Sequence, residues 1–255
     1  MWIIAEYQPT TLFSLRPYTS TTSGGKSLIV PTPFAVKMAL LDVAIRTQGL
    51  DRGQMLFPAL RDLQIAVRLP RWIVVNNSFT KVWRINDGVA KQGKAEKARL
   101  IAEARAKHKW PYQASIGFRE YVQFAGPLEL AFQVTPPEEL FQMMPPEELM
   151  RLLLQINYLG KRGGFVQLLR RPETVESLPD DFSALTEGVH GDFLLGMLQI
   201  VDDCGPELTF ERTNIYSDEP IRPGKDRIFH HVVLPYRPAR SSRGFTLYER
   251  MGSSG

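Results

Sequence analysis

The sequence predicts an α+β fold in which strands and helices follow one another in the order βαββαβ. Three features indicate this order: a β-rich N-terminal segment, two helices that each begin near a proline and end at a glycine, and a basic insertion between the central strands. Hydrophobic residues make up 44% of the 255 residues, which is enough to form a packed core.

The first strand and the first helix are predicted near the N-terminus. Residues 1–15 are rich in β-forming side chains. In residues 34–45, apolar side chains recur at the spacing of one helix face. Thr32 supplies an N-cap ahead of a proline at the first helical position, and Gly49 supplies the stop. We therefore expect an amphipathic helix that begins at residue 33.

The second strand and a basic insertion follow. Residues 63–75 predict a strand in which Pro70 forces a bulge or an edge position. Residues 93–108 are strong helix formers, but Leu100 and Ile101 are their only sizeable apolar side chains. Because two such residues cannot bury a helix face, we expect this segment to project from the body as an arm, or to be disordered in the chain alone.

The remaining elements complete the predicted order. Residues 118–134 indicate two strands joined by a Gly-Pro turn. Two proline-and-acid motifs within residues 135–149 predict helix starts, and the glycine-rich segment 160–164 ends the second helix. Residues 165–169 then predict the next strand.

This order is that of a ferredoxin-like (RRM-like) domain, which we predict for residues 1–170, with a basic thumb inserted at about 76–117. Residues 171–255 predict a smaller, β-rich C-terminal region with a strand at 227–234. The last four residues, 252–255, have the composition of a tag remnant.

The positive charge of the chain is concentrated in one segment. The net charge is +4 overall, yet residues 76–112 contain nine Lys or Arg against three acidic residues. A local net charge of +6 favours a polyanionic partner, because each phosphate that is neutralised releases condensed counterions.

Several classes of protein are disfavoured. Cys204 is the single cysteine, so no internal disulfide or thiolate zinc cluster can form. The four histidines show no metal-binding spacing, and neither a Walker loop nor a dinucleotide fingerprint is present. We expect no metal and no cofactor. The N-terminus lacks the features of a secretory signal and no segment is apolar enough to span a bilayer, so we expect a cytoplasmic protein.

The glycine-rich segment Gly160-Lys161-Arg162-Gly163-Gly164 is a candidate phosphate site. Its glycines allow backbone N–H groups to approach a phosphate, and two cations lie beside them. The same composition is also typical of a helix end with solvated basic neighbours. Both interpretations stay open on this segment alone.

Two stretches resemble the RAMP superfamily of CRISPR-associated proteins. Residues 158–166, YLGKRGGFV, resemble the glycine-rich loop between the second helix and fourth strand of its ferredoxin-like domain. Residues 27–41, SLIVPTPFAVKMALL, resemble the proline-rich entry to the first helix in the subunit-five family of type I Cascade.

This resemblance implies a non-catalytic subunit that binds the guide RNA (crRNA) of a CRISPR surveillance complex in antiviral defence. It implies a cap on the 5′ handle of the guide, contacts with the backbone and large subunits of Cascade, and target DNA reached through the complex. The thumb would cross the RNA and touch the neighbouring backbone subunit.

The predicted RNA-binding residues come from the glycine-rich loop, the N-terminal part of the chain and the basic insertion. In the insertion, aromatic side chains interleave with cations, as base stacking and phosphate binding require. A merely solvated charged helix is the alternative there. The predicted set is Gly160, Lys161, Arg162, Gly163, Gly164, Arg16, Tyr18, Lys26, Lys37, Lys81, Trp83, Arg84, Lys107, His108, Lys109 and Trp110.

A rival interpretation is a metal-independent endoribonuclease that processes CRISPR precursor RNA. His230-His231 suggests general acid–base chemistry, and Tyr18 and Lys26 could join a distant histidine. Adjacent residues of a strand point to opposite faces, however, so at least one of the two histidines is expected to pack. We predict no catalytic residue.

Overall fold

In this computed structural model, the first sheet is antiparallel and has five strands hydrogen-bonded side by side, with a sixth short strand paired to one of them. The structure describes residues 1–18, 25–134, 144–160, 163–186, 195–214 and 217–252. The strands are β1 (Trp2–Pro9), β2 (Ile65–Arg68), β3 (Trp72–Ile85), β4 (Tyr112–Phe124), β5 (Leu128–Gln133), β6 (Val166–Leu168), β7 (Glu173–Val175), β8 (Ser183–Ala184), β9 (Met197–Cys204), β10 (Arg227–Leu234), β11 (Tyr236–Ser241) and β12 (Phe245–Arg250). The helices are α1 (Pro33–Gln48), α2 (Leu50–Arg61), α3 (Asp87–Ala90), α4 (Lys94–Ala106), α5 (Pro146–Leu153) and α6 (Phe210–Thr213).

The first sheet has the strand order β6-β1-β5-β2-β8, and β7 also pairs with β1. Every pairing in it is antiparallel. Ile3, Ala5 and Tyr7 of β1 alternate onto a single face and are fully buried in the main core. The hydroxyl of Tyr7 donates to the carbonyl of Leu153 over 2.8 Å, which ties β1 to α5. The predicted α+β class is confirmed.

Helix α1 has the boundaries that its sequence predicted. The hydroxyl of Thr32 accepts a hydrogen bond from the backbone N–H of Ala35 over 3.2 Å, and the helix begins at Pro33. Gly49, with φ of 94°, ends it. Helix α2, which follows at once, was not predicted; Gly53 lies in it, and an added Cβ there would come within 2.4 Å of the Ile45 side chain.

The second sheet contains a long hairpin and has the strand order β11-β12-β3-β4. The prediction of one strand over residues 63–75 was wrong, because β2 ends at Arg68 and β3 begins at Trp72 in the other sheet. Pro70 lies at this break and has no N–H to donate to a ladder. The predicted turn between residues 118 and 134 is confirmed, since β4 ends at Phe124 and β5 starts at Leu128.

A two-stranded sheet of β9 and β10 packs against α1. The predicted strand at 227–234 is confirmed as β10. In the part of the chain that the structure describes, the residues after 171 contribute strands to all three sheets. Three of their side chains, Leu185, Val201 and Val232, belong to the main core. The domain division near residue 170 stays a prediction. No helix within the described ranges is long and apolar enough to cross a membrane.

Candidate nucleic-acid interface

An arm, residues 76–117, projects from the second sheet. Its stem is the β3–β4 hairpin, paired in register from Ile73 opposite Phe124 to Ile85 opposite Tyr112. The pairing of β12 with β3 stops at Asn76, so beyond that point the hairpin is two-stranded. Helices α3 and α4 form its tip, and no residue from Asn76 to Trp110 is buried. The arm therefore presents both of its faces to the surroundings.

One face of the arm carries a ladder of aromatic rings. The Phe79 and Phe118 ring centroids lie 5.2 Å apart, Trp83 and Trp110 6.0 Å, and Trp110 and Tyr112 5.4 Å. Trp83 is 64% exposed and Trp110 68% exposed. Rings held in the open in this way offer faces on which bases or an apolar partner can pack.

Sequence reasoning identified Trp83 and Trp110 but missed Phe79 and Phe118. The signal that could have found them is the alternation of Phe79, Lys81, Trp83 and Ile85 at the two-residue period of a strand. Paired residues of antiparallel strands share a face, so Phe118 of β4, which pairs with Phe79, lies on the same face as this alternating set.

The arm's cations have few acidic partners. Arg99 binds both Glu96, over 2.8 Å, and Glu103, and the hydrogen bond that its guanidinium donates to Glu96 raises the pKa of Arg99. The other eight Lys and Arg of residues 76–117 form no salt bridge with any described acidic residue. They include Lys81, Arg84, Lys107 and Lys109, all exposed. Uncompensated charge on a projecting element favours a polyanion.

His108 marks the turn that returns the chain to β4. Its backbone φ is 50°, and the N–H of Lys109 donates to the carbonyl of Ala104 over 2.8 Å. Lys107 caps the C-terminal end of α4. Lys107, His108, Lys109 and Trp110 are all exposed at this turn, and their role in RNA binding stays a prediction.

The described part of the glycine-rich loop is a tight turn pinned to the N-terminal segment. Gly160 has φ of 74°, and an added Cβ would come within 2.6 Å of Leu15 Cδ1. The Thr11 hydroxyl donates to the carbonyl of Gly163 over 2.7 Å, and the N–H of Leu159 donates to the carbonyl of Gly164 over 2.9 Å. Lys161 and Arg162 lie outside the described residues, so their role stays a prediction.

The N-terminal candidates lie in two places. Tyr18 is 45% exposed, and its ring centroid lies 5.0 Å from that of Phe229. The guanidinium of Arg227 also contacts the Tyr18 ring, at 5.0 Å from its centroid. Lys26 is exposed and forms an ion pair with Glu120 over 3.2 Å. Arg16 is exposed and follows the stretch that bridges to residue 28.

Lys37 is a correction to the predicted set. It is only 2% exposed, and its ammonium donates to the carbonyl of Arg61 over 2.7 Å and binds Asp203 over 2.6 Å. An ammonium enclosed in this way cannot meet an external phosphate. The helical spacing contained the signal, because Lys37 lies three and four residues before the fully buried Leu40 and the buried Leu41.

The two adjacent histidines do not assemble a nuclease site with the described residues. His230 Nε2 lies 3.3 Å from Asp203 Oδ2, beside the buried Lys37, while His231 is exposed. Their opposite orientations on β10 match the alternation of a strand. No group of three possible metal ligands occurs within the described ranges.

Comparison with known proteins finds a sequence match to a CRISPR-associated protein. No protein-family model matches the chain. The chain is 26% identical, over 130 residues, to the CRISPR-associated protein Cas5 of Archaeoglobus fulgidus. The match covers 51% of this chain and 50% of that protein, so it spans about half the length of the curated relative.

Solved structures of CRISPR proteins are also similar in outline. A CRISPR protein from Archaeoglobus fulgidus aligns with a TM-score of 0.46 and 15% identity, over 98% of this chain and 92% of that one. A chain of a CRISPR RNA-guided surveillance complex aligns with a TM-score of 0.43 and 12% identity, over 91% and 87% of the two chains. Together with the sequence motifs, the sequence match confirms the predicted resemblance: this chain is similar to CRISPR-associated proteins of the Cas5 and RAMP type.

Proposed function

We propose that this chain is a non-catalytic crRNA-binding subunit of a type I Cascade surveillance complex, which caps the 5′ handle of the guide RNA. The observation that carries the proposal is the arm, which has both an exposed ladder of rings and eight basic residues that form no salt bridge with any described acidic residue. Cations beside open aromatic faces are the combination that single-stranded RNA requires. The similarity to Cas5 supports the CRISPR context.

The first sheet is proposed to be the ferredoxin-like domain of residues 1–170. In support, the two strands that each main helix connects are not neighbours in the sheet. Helix α1 connects β1 and β2, and β5 lies between them; helix α5 connects β5 and β6, and β1 lies between them. Two split βαβ units of this kind make the βαββαβ arrangement. The arm is inserted between β2 and β5, the two central strands of that order.

The partners of the chain are proposed from the same features. The ring ladder is large and exposed for a chain that acts alone, so we infer that it is covered by bases of the guide and by the neighbouring Cascade backbone subunit. The large subunit and target DNA would be reached through the assembled complex.

The proposal is tested by the binding of purified chain to CRISPR repeat RNA in EDTA at several salt concentrations. The variant Lys107→Ala with Lys109→Ala should lower the slope of log K against log salt by about 1.4, since each phosphate contact of a single strand contributes about 0.7. Both residues are exposed, so the melting temperature should hardly change.

A matched control variant removes two exposed cations outside the arm, Arg171 and Lys225. It should leave the slope unchanged. Equal effects of the two variants would contradict a specific role of the arm. Specific scission of the repeat RNA in EDTA that is lost in His231→Ala would instead support the rival function, a metal-independent endoribonuclease.

A further inference from the structure

The second sheet has an outer face that points away from the main core. Ile73, Val75 and Val122 mark its inner face, since all three are buried. Side chains alternate along each strand, so the neighbours in sequence of these residues point outward. Outward residues that matter here are Trp72, Tyr121, Phe245, Arg119, Arg237 and Arg240.

None of these six side chains is fully buried. Trp72, Tyr121 and Phe245 are half-buried, and Arg119, Arg237 and Arg240 are exposed. One face of a sheet normally needs a covering layer when it carries large apolar groups. The outer face therefore presents partly exposed aromatic side chains; the guanidinium of Arg71 lies over the Trp72 ring, 5.3 Å from its centroid, while Tyr121 and Phe245 have no such cation over them among the described residues.

The pairing register places Trp72 and Phe245 on the two central strands, β3 and β12, and it places Tyr121 and the arginines on the edge strands, β4 and β11. Phe245 pairs with Asn76, which pairs with Tyr121, so the two rings flank Asn76 about 10 Å apart across two strand spacings. Arg119 pairs with Ser78 on the outermost strand of one side. Arg240 lies on β11, the edge strand of the other side.

The charge of the outer face is positive. Its acidic residue, Glu249, is held by Arg71 over 3.1 Å and by Arg237 over 3.3 Å, and these hydrogen bonds lower the pKa of Glu249. Arg119 and Arg240 form no salt bridge with any described residue. Two arginines are thus available at opposite margins, and a guanidinium binds phosphate through parallel hydrogen bonds.

The turn between β11 and β12 extends this charge toward the base of the arm. Asn77 of β3 donates its side-chain amide to the carbonyl of Arg243 over 3.0 Å, and its N–H donates to the carbonyl of Gly244 over 2.8 Å. The turn is therefore fixed against β3. Arg243, which is exposed, is held beside the first two-stranded residues of the arm.

We propose that this outer face is a second surface for single-stranded RNA, separate from the ring ladder of the arm. The ladder continues the inner face of β3, whereas Trp72 and Tyr121 lie on the opposite side of the same hairpin. Partly exposed rings, flanked by arginines that form no salt bridge with a described residue, match bases and phosphates, and the positive charge disfavours a purely apolar protein partner.

The test uses the purified full chain and a uridine dodecamer that contains 4-thiouridine. Near-ultraviolet irradiation should crosslink the RNA to peptides that contain Tyr121 or Phe245, identified by mass spectrometry. Tyr121→Leu removes the ring but keeps an apolar side chain, and it should weaken binding about fivefold or more. Arg119→Ala with Arg240→Ala should lower the salt slope by about 1.4.

Controls separate this surface from the arm and from general charge. The double variant of Arg171 and Lys225 should change neither the slope nor the crosslinks. If the double variant of Lys107 and Lys109 abolishes the Tyr121 crosslink, the outer face has no RNA affinity of its own and the proposal is overturned.

Two other outcomes would also decide whether the outer face binds RNA. Unchanged affinity in the outer-face variants, with no crosslink to Tyr121 or Phe245, would overturn the proposal and assign the face to a protein partner. An effect of the outer-face variants with none from the arm variant would support this surface while contradicting the proposed role of the arm. The two proposals can therefore fail independently.

Discussion

Replacement of Lys37 by methionine should destabilise the protein severely while leaving RNA affinity unchanged. Methionine has nearly the length of lysine, so the change removes the ammonium and keeps the apolar stem. Lys37 is 2% exposed and its Nζ lies 2.6 Å from Asp203 Oδ1. After the change, Asp203 keeps a hydrogen bond from the N–H of Cys204, over 2.7 Å, and the weaker contact with His230.

The magnitude follows from these contacts. Asp203 is only 4% exposed, so the change leaves a buried carboxylate without its counter-ion. Breaking a buried ion pair in this way costs about 3–5 kcal/mol. The carbonyl of Arg61 also loses the donor that Lys37 supplies. In a chain of this size, each kcal/mol lowers the melting temperature by about 2–4 °C, so we expect a decrease of about 6–20 °C.

Melting temperature and RNA binding should be measured on three further variants. Arg46→Met removes one partner of an exposed ion pair, that with Asp42, and should cost about 1 kcal/mol or less. Lys37→Met combined with Asp203→Leu removes both charges and should recover most of the lost stability. Asp203→Leu alone should be as damaging as Lys37→Met.

Two results would refute this reasoning. A melting temperature of Lys37→Met within 2 °C of wild type, a threshold set by about 1 kcal/mol, would show that the ammonium is not buried as described. A folded Lys37→Met variant with a reduced salt slope for RNA would show that Lys37 reaches phosphate after all.

Two further predictions concern pKa shifts. Burial raises the pKa of the Cys204 thiol to about 12, so a disulfide reagent at pH 8 should leave the folded chain unmodified and label it in guanidinium; rapid labelling in native buffer would contradict the burial. Hydrogen bonds from Arg222 hold the pKa of Asp226 well below its usual range. Since the unfolded carboxyl binds its proton more tightly, stability should be retained above about pH 4 and fall as pH decreases below it. Asp226→Asn should flatten that acid limb in melting experiments at pH 2–7; an unchanged limb would show that Asp226 is not its source.

Elements with local signals were predictable. Helix α1 begins at Pro33 and ends at Gly49 because a cap, a proline and a glycine act within a few residues of each other. The strand at 227–234 was found from its run of β-forming side chains. The absence of buried residues from α4 follows in the same way from its two sizeable apolar side chains.

Elements with weak signals of their own, which depend on packing or strand pairing, were not predictable. Helix α2 contains Gly53 and Pro58, which weaken its helical signal, and it is held by its packing on α1. Strand β11 is exposed along residues 237–241 and contains Pro238, so its pattern does not indicate a strand. It forms because β12 offers a partner edge.

The candidate site likewise has a part that could be predicted from the sequence and a part that depends on the folded structure. The cations and tryptophans of residues 76–112 are visible in composition, since charge and aromatic content are properties of the segment alone. Whether a given cation faces solvent depends on its neighbours in space: Lys37 is enclosed by Asp203, which lies 166 positions along the chain. The outer face likewise exists only because Phe245 and Tyr121 flank Asn76 from strands far apart in sequence. Periodicity and capping act over a few residues, whereas pairing and burial are set by contacts between distant segments, and these contacts assemble only in the folded chain.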